Sequence, residues 1–103
     1  MEKKKHTTRT IKQHKLVKGE GPLQMLTCYD FQTAQMLNAS EIDLILVGDS
    51  VGNVILGYDT TVAVSIDEMT LFSAAVKRGA SQKFVVADMP FGSYTGLHQG
   101  LKN

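Results

Sequence analysis

Two short apolar runs, Leu44-Ile45-Leu46-Val47 and Phe84-Val85-Val86-Ala87, constrain this chain more than any other feature. Each stops abruptly on polar residues: Gly48-Asp49-Ser50 follows the first and Asp88 the second. Apolar runs of this length suit buried strands better than helices. Between them, Ser65-Ile66-Asp67-Glu68 matches a capping box, and the helix it opens carries Met69, Phe72 and Val76 before ending at Lys77-Arg78. Acids in the first turn and bases in the last complement the helix dipole, and Gly79 is expected just beyond the helix end. A strand, a helix and a second strand in this order imply parallel pairing through a crossover.

The same alternation extends in both directions. Leu23 to Cys28 reads as an earlier strand, and Asp30 is placed to cap a helix with Phe31, Ala34 and Leu37 on one face and its end near Ser40-Glu41. Asp43 to Gly48 is the second strand and Lys83 to Ala87 the third. From Asp49 to Val64 the sequence predicts a long glycine-containing loop without a helical period, Gly52 and Gly57 marking tight turns. Asp88-Met89-Pro90-Phe91-Gly92 is a turn, and a further helix is expected over residues 95–103. Ahead of these units, Thr10 to Lys18 can form a polar helix, broken by Gly19-Glu20-Gly21-Pro22. Residues 1–22 therefore form a basic leader with a short helix, and residues 23–103 form the α/β body.

Charge separates the same two parts. Residues 1–20 hold seven Lys or Arg against two acids, whereas residues 21–103 hold four against eight, so +5 faces −4. Lys3, Lys4, Lys5, His6 and Arg9 have no interleaved aromatics on which bases could stack, which points away from nucleic acid and towards a solvated tail. No apolar run reaches membrane-spanning length, and Thr7 to Lys18 lacks the apolar core of a secretory signal, so neither a membrane nor export is expected and the chain reads as cytoplasmic. The single Cys28 fits a reducing compartment and a core position without reactivity.

In parallel α/β proteins, ligands collect at the carboxyl ends of strands. Asp30, Asp49 and Asp88 all fall there, and carboxylates on neighbouring strands about 4.8 Å apart can share one cation. Oxygen ligands without His or Cys favour Mg²⁺. Asp30 has a structural occupation as an N-cap; for Asp49 and Asp88 ligand and loop roles compete. Ser50 could donate to an anionic substrate or satisfy its own loop. Lys77 and Arg78 are explained by the helix dipole, His98 by solvation, and Met25, Met36 and Met69 as core filler. The glycines form neither a Walker loop nor a dinucleotide fingerprint.

Five segments taken together resemble the ketopantoate hydroxymethyltransferase family: Thr27-Cys28-Tyr29-Asp30, Val47-Gly48-Asp49-Ser50-Val51-Gly52, Leu56-Gly57-Tyr58-Asp59-Thr60-Thr61, Ala75-Val76-Lys77-Arg78-Gly79-Ala80 and Ala87-Asp88-Met89-Pro90-Phe91. Cys28 stands where the family often has alanine, Ala63 where it often has proline, and Phe72 where histidine is common, while Gly92 replaces a bulkier residue. These differences concern local packing.

The resemblance implies a (β/α)₈ TIM barrel of the phosphoenolpyruvate/pyruvate type, of which this chain would supply about three βα units out of the roughly 250 residues such a barrel takes. It implies hydroxymethyl transfer from 5,10-methylenetetrahydrofolate to 3-methyl-2-oxobutanoate, giving 2-dehydropantoate for pantothenate synthesis. Asp49 and Asp88 match the family's Mg²⁺ ligands; Asp49, Ser50 and Asp88 match positions that contact the keto acid. By the same resemblance, a substrate lysine, a third acidic ligand and the proton-accepting glutamate lie beyond Asn103. The expectation is thus an amino-terminal portion of such a transferase, acting on a small 2-oxo acid and folate as a homo-oligomer or with a complementing chain. The alternatives are a non-catalytic, self-associating barrel fragment and a related Mg²⁺-dependent 2-oxo acid lyase or mutase.

Overall fold

The computed structural model describes residues 5–14, 16–17, 19 and 21–103. Lys3 and Lys4 of the basic head, Lys18 at the expected end of the first helix and Glu20 in the break lie outside the described residues. The elements run α1 (Thr8–His14), β1 (Met25–Thr27), α2 (Phe31–Asn38), β2 (Leu44–Val47), α3 (Val51–Val54), a 3₁₀ turn (Thr61–Ala63), α4 (Ile66–Gly79), β3 (Phe84–Ala87) and α5 (Leu97–Lys102).

The three strands form one parallel sheet in the order β1-β2-β3. Leu46 lies opposite Thr27 on one side and Val86 on the other. The apolar sequence of β2 follows from its central place: Ile45 and Val47 are fully buried, whereas β1 is exposed along its length. Ile45, Val47, Val85 and Cys28 share a core with Ala34 of α2 and with Met69 and Val76 of α4. The row Thr27, Leu46 and Val86 is only half-buried or exposed. Several large apolar side chains are also exposed in the last part of the chain, among them Phe91, Tyr94, Leu97 and Leu101.

The starts of α2 and α4 follow the sequence, whereas α1 runs Thr8–His14 instead of Thr10 to Lys18, with Leu16 and Val17 in a turn beyond it. Asp30 caps α2, its Oδ2 accepting from Thr33 N at 2.9 Å. Ser65 and Glu68 form the reciprocal capping box at α4. Glu68 does a second job there, accepting from the Tyr58 hydroxyl, which pins the 49–64 connection to the start of α4.

Gly79 departs from expectation. It is the last residue of α4, with Ala80 as C-cap, and its backbone is not left-handed. A Cβ there would meet Phe31 O at 2.6 Å and Ala34 Cβ at 2.8 Å, so the glycine exists to let α4 approach α2. Gly52 differs in the same way: it lies in α3 against Val64, and only Gly57, at φ +74, makes the expected turn. The supposed loop from Asp49 thus opens with a helical turn. Of the three methionines expected in the core, only Met69 is there. Met25 sits on the open β1, and Met36, two residues from buried Ala34, is on the opposite side of α2. Phe31 is likewise 43% exposed.

At the amino end of the sheet, polar groups are buried and paired. Asp43 accepts from Gln24 N at 2.8 Å, and its Oδ1 lies 3.1 Å from His6 Nε2. That contact ties the described part of the leader to the body, where a solvated tail was expected. Lys83 Nζ donates to Ser40 O and Ile42 O at 2.7 and 2.8 Å. Lys77 Nζ donates to Lys83 O at 2.8 Å, so it serves the turn after α4 as well as the dipole. Burial, and then the charge of Lys5, push its ammonium below the usual lysine range.

Because the Gly79 contact involves backbone, Gly79→Ala is expected to lower stability by about 1–3 kcal/mol, although alanine is the better helix former. Urea unfolding followed by circular dichroism checks this; an unchanged or higher midpoint would mean that the helices can separate at no cost.

Candidate metal and keto acid site

The carboxyl ends of β1, β2 and β3 come together because the strands are parallel and in register. Cys28 N donates to Leu46 O at 3.0 Å, carrying the pairing one residue past β1 and leaving Tyr29 and Asp30 just beyond. Asp88 N donates to Val47 O at 3.1 Å, which sets Asp88 beside Gly48. The chain then turns at once into α3, with Val51 N bonded to Gly48 O and Gly52 N to Asp49 O. Asp49 and Ser50 are held at the sheet end by this turn.

One hydrogen bond joins the two aspartates: Asp49 N donates to Asp88 Oδ2 at 3.0 Å. Asp88 therefore spends one oxygen on the backbone of its neighbour. The Asp49 carboxylate has no hydrogen bond or ion pair among the described residues, and Asp88 has no ion pair there. Both side chains are half-buried.

Ser50 occupies the N-cap position of α3 but does not cap it; its backbone is already helical, at φ −58 and ψ −12. Its hydroxyl instead meets the Tyr29 hydroxyl at 2.5 Å, across from the end of β1. Tyr29 is the residue the sequence reading left without a role, although its position between Cys28 and Asp30 put it at a strand end. Gly48 is the other. A Cβ at Gly48 would lie 3.3 Å from Ser50 Oγ and 3.4 Å from Asp88 Oδ2, so the glycine keeps open a space bordered by both groups.

Asp30 does not join this group: its carboxylate is engaged at the start of α2, and the Thr33 N–H holds it below the usual carboxylate range. Cys28 is buried, and desolvation pushes its thiol up, away from the reactive thiolate. His98 is exposed.

The donor set suits a hard divalent cation. It offers oxygens only, from two carboxylates with no cationic partner among the described residues, beside a cradle that a Cβ would fill. No cluster of three or more His, Cys, Asp or Glu able to hold a metal occurs among the described residues.

The different engagement of the two carboxylates has a measurable consequence. Asp88→Ala strands the Asp49 N–H and is expected to cost about 1–3 kcal/mol. Asp49→Ala removes a carboxylate that bonds nothing and is expected to change stability by less than about 0.5 kcal/mol. Chemical denaturation of both variants in metal-free buffer checks the pair; equal losses would contradict it.

Comparison with known proteins agrees along the chain. The model of the family described as ketopantoate hydroxymethyltransferase matches residues 5–103. A 3-methyl-2-oxobutanoate hydroxymethyltransferase of Exiguobacterium sibiricum is 57% identical over 74 residues, covering 72% of this chain and 26% of the relative. Proteins of the same name from Shouchella clausii and a Geobacillus species are 56% identical over 88 residues and 46% identical over 90, covering 85% and 86% of this chain and 31% and 32% of theirs. The chain thus spans between a quarter and a third of the length of these curated relatives. With the strand order, the strand-end residues and a family match that takes in nearly all of its length, this chain belongs to the ketopantoate hydroxymethyltransferase family.

Proposed function

We propose that this chain carries part of the substrate and metal site of an enzyme that transfers a hydroxymethyl group from 5,10-methylenetetrahydrofolate to 3-methyl-2-oxobutanoate, giving 2-dehydropantoate for pantothenate synthesis. The observation that supports the reading best is the placing of Asp49, Ser50 and Asp88 at one end of the sheet, where Asp49 N bonds Asp88 Oδ2 and both Asp88 Oδ2 and Ser50 Oγ border the space beside Gly48. In this reading Asp49 and Asp88 hold Mg²⁺, and Ser50 donates its hydroxyl proton to the carboxylate of the keto acid. A bound Mg²⁺ would polarise the keto oxygen of the acid and so favour loss of the neighbouring C3 proton. Asp88 contributes in a second way, since its bond to Asp49 N fixes the turn on which Asp49 and Ser50 stand.

The proposed setting is a (β/α)₈ barrel of the phosphoenolpyruvate/pyruvate type. Parallel sheets are seldom left open to water on one face, and the half-exposed row of Thr27, Leu46 and Val86 is the face that barrel closure would line. In such a barrel the functional end is the carboxyl end of the strands, where Asp49, Ser50 and Asp88 sit. The relatives bear the name of this transferase, which supports the same substrates for the protein to which these residues belong. Among the described residues no helix is long and apolar enough to cross a membrane.

Calorimetric titration with Mg²⁺ tests the site directly. Weak uptake is expected, since two carboxylates leave the other positions of an octahedral ion to water. Asp49→Asn and Asp88→Asn are each expected to abolish it; uptake that is absent from the parent chain, or unchanged in both variants, would remove the site.

A further inference from the structure

The contact between the Tyr29 and Ser50 hydroxyls is unexplained by folding needs alone. Serine at the start of a helix ordinarily turns its oxygen onto a backbone N–H two or three residues on. Ser50 does not, and its hydroxyl is held by a side chain from a different strand end, 21 residues away in sequence. Tyr29 is itself fixed, half-buried and packed against the core. An aliphatic hydroxyl has one proton and two acceptor sites and rotates freely unless something occupies one of them.

We infer that Tyr29 is a positioning residue for the acid-binding function of Ser50. Either hydroxyl of the pair can donate, and the donor role is assigned here to the phenol, the more acidic of the two. Ser50 Oγ accepts from it, which keeps the serine rotamer on the open space beside Gly48 and leaves the serine's own proton for a carboxylate ligand. Were Ser50 the donor, its only proton would be spent within the protein. The inference rests on the reading of Asp49, Ser50 and Asp88 as a keto acid site, and adds the residue that decides which way the serine proton points.

The test is calorimetric binding of 3-methyl-2-oxobutanoate, and separately of its amide, to the chain in excess Mg²⁺. Tyr29→Phe keeps the ring and its packing and removes only the hydroxyl. It is expected to weaken binding of the acid by about tenfold, the effect of losing one charge-assisted hydrogen bond, with Mg²⁺ uptake and amide binding unchanged. Ser50→Ala is expected to lose as much, and the double variant no more than Ser50→Ala alone, because the two hydroxyls act as one unit. A purely structural tyrosine would instead affect acid, amide and metal alike, or nothing. Wild-type affinity in Tyr29→Phe, or additive losses in the double variant, overturns the inference while leaving the site intact. Failure of the parent chain to bind the acid overturns the reading of the site, and the inference with it. If Tyr29→Phe does not fold, undiminished acid binding by Ser50→Ala is itself sufficient to overturn the inference.

Discussion

Leu44–Val47 is paired on both edges with parallel neighbours, and the polar groups at the carboxyl rim of the sheet owe their placement to that. Parallel strands end on the same side, so residues far apart in sequence become neighbours at one rim. Tyr29, Asp49, Ser50 and Asp88 are brought together by register, with Val47 opposite Ala87 and Cys28 bonded to Leu46. The central strand can hold this position because it is apolar enough to be buried, and among the described residues β1 and β3 each have one edge without a paired strand.

The two rims of the sheet are used differently. At the amino end, charged groups are consumed by structure: Asp43 by Gln24 N and His6, and Lys83 by two carbonyls. At the carboxyl end, Asp49 and one oxygen of Asp88 are left without protein partners among the described residues. Half-buried carboxylates without a cationic partner among the described residues are places where a ligand can supply the missing charge. Asp88 is the intermediate case, holding the backbone with one oxygen while offering the other.

Much of this arrangement was legible in the sequence, for local reasons. The strands β2 and β3, the capping box at Ser65 and the cap at Asp30 all depend on neighbours in the chain. What was not legible depends on contacts across it. Gly79 looked like a helix stop because its sequence context is that of one; its true constraint is the carbonyl of Phe31, 48 positions away. Met25 and Met36 have apolar side chains in places the helices do not cover, a matter of which edge and which face, and periodicity over three or eight residues fixes neither. Asp49, Ser50 and Asp88 could be named from their position after apolar runs, but the phenol of Tyr29 that holds Ser50, and the space Gly48 leaves open, exist only once three strand ends meet.

The proposed function places a divalent cation at this rim, between Asp49 and Asp88. Nuclear magnetic resonance with Mn²⁺ as a paramagnetic substitute for Mg²⁺ locates the ion without relying on turnover. The backbone amides of Gly48, Asp49, Ser50 and Asp88 are expected to broaden first as Mn²⁺ is added. Broadening that begins instead at Asp67 and Glu68, or around Asp43 at the opposite end of the sheet, would contradict this placement.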